Sequence, residues 1–152
     1  MERNEEIEID TRLGRRSIDT SKIVHFPRGL AGFEDEQDFV LLPLRPDAPL
    51  LILQSMKSPQ LGLLVADPYC FLENYPLAVG EAELAVLQLS RLEDAAVLVT
   101  VTIPPGKPED ATLNLVGPVL INYQARIGLQ VPQIIDGPAR VSMHSPERGA
   151  GR

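Results

Sequence analysis

The stretch Thr112–Val131 reads TLNLVGPVLINYQARIGLQV and decides the fold class of this chain. Its apolar residues form two short runs, LNLV and VLI, with Gly117 and Pro118 between them and Asn122 after the second. Aliphatic and β-branched runs bounded by Gly, Pro and Asn are typical of strands rather than helices. Because proline donates no hydrogen bond to a sheet, Pro118 is expected at the first residue of a strand or on an edge.

The same stretch carries no reactive group, since no charged residue, histidine or cysteine lies between Thr112 and Tyr123. Gly128 is predicted to turn the chain into a further strand that starts at Leu129. Asn114 and Asn122 have two interpretations. Each side chain either closes a turn through backbone hydrogen bonds, which is favoured, or presents its amide to a partner. The stretch is therefore expected to pack or to be contacted rather than to catalyse.

The rest of the chain shows the same strand-rich pattern. Residues 6–13 alternate between apolar and polar side chains, which is the period of a half-buried strand. Further strands are predicted at residues 17–26, 39–42, 50–54, 61–66 and 95–103. Short helices are predicted at 67–72, where Asp67 can cap the backbone and Pro68 suits the first position, and at 80–88. The fold class is therefore mostly β, a single domain with one or two short helices.

Two glycine-containing segments are predicted to turn the chain. Residues 14–16, Gly-Arg-Arg, are expected to link the first two strands, with the arginines meeting water rather than binding an anion. In a later loop, Gly29 and Gly32 allow the left-handed backbone that a sharp turn requires. Phe33 either anchors this loop in the core, which is favoured, or stands out as a contact. Residues 34–38 are predicted to form a helical turn.

Length and composition restrict the class of protein. A chain of 152 residues predicts one domain, which buries about 70% of its unfolded surface. No apolar run reaches the roughly 18 residues of a membrane span, and the acidic start is unlike a signal peptide, so a cytoplasmic location is expected. The apolar pattern ends near residue 136. We therefore predict a domain at 1–136 and a polar, flexible tail at 137–152.

The formal net charge of −7 is unevenly distributed. No Lys or Arg lies between Lys57 and Arg91, a segment that holds several acidic residues. Charge of this sign repels nucleic acid and suits a basic partner, or it simply keeps the domain soluble. The candidate partner-binding residues are Phe33, Glu34, Asp35, Glu36, Glu73, Glu81, Glu83, Asn114 and Asn122.

No catalytic or metal-binding arrangement is evident in the sequence. Phosphate-binding loops, catalytic triads and metal-ligand spacings are all missing. Cys70, the single cysteine, would need a neighbouring base to act as a nucleophile, and a buried inert thiol is expected instead. We therefore expect no enzymatic activity, no cofactor and no metal. Two classes remain: an acidic protein-binding domain, or a small β-barrel that holds a small-molecule ligand in its interior.

A series of short signatures resembles the FliW family of flagellar assembly factors over residues 7–135. The signatures, in order, are Thr11–Gly14, GLAGFE at 29–34, LQS at 53–55, DP at 67–68, LED at 92–94, TLNLVGP at 112–118, IN at 121–122 and GLQV at 128–131. Each is weak alone, and the series is specific. The tail at 137–152 lacks the aromatic and basic ending expected of the family, so no contact is carried over to it.

The resemblance implies a non-enzymatic partner switch built on an antiparallel β-barrel-like fold. Family members bind flagellin as a chaperone-like factor. When flagellin has been exported, the freed factor captures CsrA, a small basic RNA-binding dimer that represses flagellin translation. An acidic protein suits a basic repressor. Flagellin and CsrA are therefore the expected partners, with no direct contact to nucleic acid or to a membrane.

Overall fold

The computed structural model describes residues 5–46 and 49–144, and its centre is a closed barrel. The strands are β1 (Glu6–Thr11), β2 (Gly14–Asp19), β3 (Val24–His25), β4 (Asp38–Pro43), β5 (Leu50–Ser55), β6 (Gly62–Ala66), β7 (Ala96–Thr102), β8 (Thr112–Asn114), β9 (Val119–Asn122), β10 (Ile127–Gln130) and β11 (Arg140–Ser142). Within the described ranges they are joined by one α-helix, α1 (Glu81–Leu87), and by short 3-10 helices at Thr20–Lys22, Pro68–Cys70, Leu92–Asp94 and Pro108–Asp110.

Seven strands close the barrel in the order β10, β3, β4, β5, β6, β7 and β9, and β9 pairs back with β10. Every pairing is antiparallel except that of β10 with β3, which is parallel through Ile127 and His25. β7 is shared, because its last residues pair with β8, which in turn pairs with β11 outside the barrel. The predicted mostly β, barrel-like fold is confirmed.

The β1–β2 hairpin lies against the outer face of β4 and β5. An apolar cluster joins the three elements through Ile18, Val40, Leu42 and Ile52. The turn predicted at 14–16 is wrong, because Gly14 already begins β2 and pairs with Thr11. Arg15 lies in the strand and bonds Asp10 at 2.8 Å and Glu8 at 3.4 Å. The Arg15 guanidinium therefore pairs with carboxylates of the neighbouring strand while its side chain stays 60% exposed to water.

Apolar side chains fill the inside of the barrel. Its buried members are Val24, Phe26, Leu30, Phe39, Leu53, Val65, Leu98, Val119 and Ile121. The rings of Phe26 and Phe39 meet edge to face, with centroids 5.4 Å apart. A barrel of about eight strands has an interior just wide enough for its own side chains. The interior is therefore a packed core, not the ligand chamber of the second hypothesis.

Gly128 lies within β10, so the turn predicted there is wrong. A Cβ atom at this position would lie 2.4 Å from the ring of Phe26, and only glycine leaves room for that ring. The chain reverses just before it, after Asn122. The Asn122 Oδ1 accepts hydrogen bonds from the backbone N–H groups of Gln124 at 3.1 Å and Ala125 at 3.3 Å. Asn122 closes the turn, as its favoured interpretation predicted.

Helix α1 packs over the outside of β9 and β10 and matches the helix predicted at 80–88. The apolar contact consists of Leu87, Leu120, Leu129 and Val131. The helix ends at Gln88, whose φ of 59° is left-handed. Here the Asn122 Nδ2 donates to the carbonyl of Leu87 at 2.8 Å and to that of Gln88 at 3.4 Å. One buried amide therefore joins the end of α1 to the β9–β10 turn.

The short helix predicted from Asp67 is present as the 3-10 helix Pro68–Cys70. The Asp67 carboxylate accepts a hydrogen bond from the Tyr69 backbone N–H at 2.9 Å, which is the predicted capping contact. The buried thiol predicted at Cys70 is wrong, since Cys70 is exposed. Pro68, rather than Cys70, is the buried residue of this single turn.

Two segments differ from the strand and turn predictions. The strand predicted at 17–26 is interrupted, because Asp19 caps the 3-10 helix Thr20–Lys22 and the next strand, β3, begins only at Val24. Residues 34–38 form no helix. The Glu36 N–H bonds the Phe33 carbonyl at 3.0 Å in a single turn, after which β4 begins.

The packed structure continues beyond residue 136. β11 pairs with β8, and Met143 is 5% exposed. Residues 145–152, half of the tail predicted to be flexible, lie outside the described residues. In the part of the chain that is described, no helix has the length and apolar character needed to span a bilayer.

Candidate interaction sites at the two ends of the barrel

One end of the barrel is sealed by the segment that follows β3, and we call residues 26–37 the closed end. Phe26 is 0% and Leu30 is 3% exposed beneath this segment. Gly29 has a left-handed φ of 63°, and a Cβ on it would lie 2.7 Å from the backbone of Glu34. This is the sharp glycine turn predicted from the sequence, and it folds the loop back across the barrel.

Side-chain amides hold the closed end in place. The Gln130 side chain accepts a hydrogen bond from the Ala31 N–H at 2.8 Å and donates to the Gly117 carbonyl at 3.0 Å. The Gln37 Nε2 donates to the Pro27 carbonyl at 2.9 Å. These bonds join the loop to β10, to the segment before β9 and to its own start. The loop therefore presents its outer side chains from a defined backbone.

Phe33 lies on the outer side of this loop, 39% exposed, so its predicted core position is wrong. The inner position is taken by Leu30, with which Phe33 forms an antiparallel bridge. Glu34 and Asp35 follow Phe33 and are exposed. The structure thus places an aromatic ring beside two carboxylates at the surface of the closed end.

Glu36 is the fourth candidate on this loop and is half-buried. Its carboxylate accepts hydrogen bonds from the hydroxyls of Ser55 at 2.5 Å and Ser58 at 2.7 Å. These bonds, chiefly the one from Ser55, lower the pKa of Glu36. A carboxylate that is stabilised as the anion keeps its charge, and it also joins the loop to the β5–β6 turn.

The other candidate residues lie on different elements. Glu81 and Glu83 occupy the first turn of α1, where the Glu83 carboxylate accepts a hydrogen bond from the Gly80 N–H at 2.9 Å. Glu73 is exposed in the segment before α1. Asn114 accepts a long hydrogen bond of 3.5 Å from the Val116 N–H. Asn122 is 7% exposed, and its amide is engaged by backbone groups.

The opposite end of the barrel is a cleft of ≈ 630 Å³, which we call the open end. It lies where β3, β5 and β10 start and β4 and β9 end. The cleft is lined by Lys22, Val24, Leu41, Leu51, Tyr123 and Arg126. Sequence reasoning found none of these residues as a site, because they come from separate elements and share no local pattern.

The open end combines an apolar floor with two cations. Lys22 and Arg126 are exposed, and neither forms an ion pair with another described residue. Tyr123 is 54% exposed beside them. Partial desolvation, with a smaller contribution from the charge of Asp67, raises the pKa of the Tyr123 hydroxyl, which therefore remains a hydrogen-bond donor at neutral pH.

In residues 5–46 and 49–144, no three His, Cys, Asp or Glu side chains are placed to hold a metal ion. His25 Nδ1 contacts Asp38 Oδ1 at 2.8 Å on the surface. The two barrel ends differ in chemistry: the closed end presents an aromatic and acidic surface, and the open end an apolar and basic one.

Comparison with known proteins gives one consistent family. A family model described as FliW protein matches residues 8–145. The chain is 66% identical over 147 residues to the flagellar assembly factor FliW of Desulfovibrio desulfuricans, covering 95% of this chain and 89% of that protein. It is 38% identical over 119 residues to the flagellar assembly factor FliW of Bacillus velezensis, covering 78% of this chain and 82% of that protein.

The fold has a counterpart among solved structures. A crystal structure of the flagellar assembly factor FliW superimposes with a TM-score of 0.83 at 31% sequence identity. The match covers 91% of this chain and 98% of that chain. Sequence and architecture therefore lead to the same set of relatives.

Proposed function

Because this chain belongs to the FliW family, we propose that it is a flagellar assembly factor that acts by binding proteins rather than by catalysis. It binds flagellin in the cytoplasm as a chaperone-like partner. When free of flagellin, it binds the translational repressor CsrA and antagonises it, which couples flagellin synthesis to export. The name shared by the relatives supports the assembly role, and the two partners follow from the family resemblance.

The single observation that favours a basic protein partner is the surface of the closed end. Phe33, Glu34 and Asp35 stand side by side and exposed on a loop that hydrogen bonds hold. Aromatic side chains are the common anchors of protein interfaces, and neighbouring carboxylates steer a basic partner. A loop that is already ordered loses little entropy when it binds. We assign CsrA to this surface.

The first experiment measures CsrA binding by titration calorimetry at low and at high salt. We expect binding at low salt that weakens as salt rises, because exposed charges are screened over about 10 Å at 0.1 M. Absence of binding at both salt concentrations would contradict the proposal.

Substitutions at the closed end test whether CsrA binds there. Glu34→Gln with Asp35→Asn should slow association with CsrA and flatten its salt dependence, and Phe33→Ala should speed dissociation. The matched control is Glu109→Gln with Asp110→Asn, an exposed acidic pair in the 3-10 helix Pro108–Asp110 that removes the same charge elsewhere. An equal loss in the control would mean that net charge, and not the closed end, attracts the repressor.

A pull-down tests the switch between the two clients. With CsrA immobilised, added flagellin should reduce the amount of this protein that is captured. If all three proteins stay together at full yield, the exclusive switch is wrong, while binding to each client separately would still support an assembly role.

A further inference from the structure

The cleft at the open end is not used by the proposed function. Its volume of ≈ 630 Å³ lies in the range of roughly 300–1,000 Å³ that is usual for small-molecule sites. Its floor is formed by the half-buried side chains of Leu41 and Leu51, beside the fully buried Val24 of the barrel core. An apolar floor that stays in contact with water gains free energy when an apolar group covers it.

The rim of the cleft has the opposite charge to the protein as a whole. The chain carries a net charge of −7, yet Lys22 and Arg126 both line this one cleft. Lys22 is near enough to Asp19 to help lower the pKa of that carboxyl, whose hydrogen bonds come from Ser21. Neither Lys22 nor Arg126 forms an ion pair with another described residue, so the ammonium and guanidinium groups can contact an anion from solution.

The backbone of Arg126 is held in a defined conformation. Its φ of 59° is a conformation that side chains other than glycine rarely adopt. The preceding turn is fixed by Asn122, and the Arg126 carbonyl accepts a hydrogen bond from the His25 N–H at 2.9 Å. The turn therefore fixes the backbone from which the Arg126 side chain extends at the rim of the cleft.

We propose that the open end binds a small amphipathic carboxylate, a carboxylic acid with an apolar chain. Its carboxylate lies between Lys22 and Arg126, and its chain covers Leu41 and Leu51. A guanidinium suits this role because its N–H groups match the two oxygens of a carboxylate. The Tyr123 hydroxyl is a further donor at the rim. The ligand site is separate from the closed end, so a small molecule and a protein client can bind the same chain.

Octanoate is the probe, titrated into the full chain and followed by calorimetry and by methyl NMR. We expect one site, with shifts centred on the methyl groups of Val24, Leu41 and Leu51. Octylamine and 1-octanol share the apolar chain without the negative charge and should bind at least tenfold more weakly. Equal binding of 1-octanol, or shifts centred on other methyl groups, would overturn the proposal.

Variants test the two cations. Arg126→Asn keeps a residue that tolerates left-handed φ, and Lys22→Gln removes the charge but keeps a polar side chain. Each should raise the Kd for octanoate, and the double variant should raise it at least tenfold with an unchanged circular dichroism spectrum. Lys107→Gln, an exposed cation outside the cleft, is the matched control and should bind octanoate normally. An unchanged Kd in the folded double variant would also overturn the proposal.

Discussion

The two ends of the barrel are formed by the same seven strands, but a connecting segment covers the interior at only one of them. At the closed end, Phe26 plugs the interior and a loop with three carboxylates covers it. At the open end, Leu41 and Leu51 remain half-buried beneath a rim with two cations. Strand number fixes the width of a barrel, whereas the connecting segments decide whether each mouth is sealed. The closed end is therefore expected to carry stability, and the open end to tolerate change.

The most direct way to break this comparison is to truncate one apolar side chain at each end. Phe26→Ala should lower the free energy of unfolding by about 3–5 kcal/mol, because it removes a fully buried ring and leaves a cavity. Leu51→Ala, which trims a half-buried side chain, should cost only about 1 kcal/mol. Urea denaturation measures both values. Equal losses would show that the two ends contribute alike.

Asn122→Ala tests the one place where the open end depends on buried polar contacts. The change removes hydrogen bonds to backbone groups of α1 and of the β9–β10 turn and should cost about 2–3 kcal/mol. Exposed Gln124 in the same turn is the control, and Gln124→Ala should stay within about 0.5 kcal/mol. A loss of less than about 1 kcal/mol for Asn122→Ala would show that this amide does not stabilise the contact between α1 and the β9–β10 turn.

Arg126→Gly separates backbone strain from ligand binding at the open end. Glycine adopts left-handed φ without strain, so this variant should be more stable by about 0.5–1 kcal/mol while binding octanoate more weakly. Gln88, with the same φ of 59° at the end of α1, is the matched control. Gln88→Gly should gain similar stability and bind octanoate normally, and weaker binding in both variants would count against the Arg126 assignment.

Glu36→Gln should have the smallest effect of the four changes, best seen through its pH dependence. The folded state lowers the pKa of Glu36 below its ordinary value of 4.5 through the hydroxyls of Ser55 and Ser58. A lowered pKa stabilises the fold above the unfolded pKa, and this stabilisation is lost as pH falls through the folded pKa. The variant should therefore unfold more easily than the parent at pH 7, with the difference shrinking in acid. A constant difference from pH 7 to pH 3 would rule out this linkage.

The sequence predicted the fold well where a pattern is local. β5, β6 and β7 were found to within about two residues, because continuous aliphatic and β-branched runs between turn residues admit few alternatives. Contacts between side chains that are distant in sequence were harder to predict. Gly128 was taken for a turn residue because its real constraint is the ring of Phe26, about 100 residues earlier in the chain.

The closed end and the open end also differ in how far the sequence could predict them. Phe33, Glu34 and Asp35 are adjacent in sequence, so they were expected close together, but the sequence favoured a core position for Phe33 and a helical turn for residues 34–38. The exposed position of Phe33 depends on Leu30 filling the core. The open end could not be predicted in this way. Lys22 and Arg126 meet only because the barrel closes, and no spacing along the chain records that closure.

The pairing of β3 with β10 has a consequence for biosynthesis. His25 and Ile127 form the only parallel rung recorded among the described strands, and they lie about 100 residues apart along the chain. While the chain is being translated, β3 to β7 can form only an open sheet with unpaired edges. The pairing of β3 with β10 can form only after residues near 130 have left the ribosome. Contacts this distant slow folding. Closure of the barrel is therefore expected only after β10 has been synthesised.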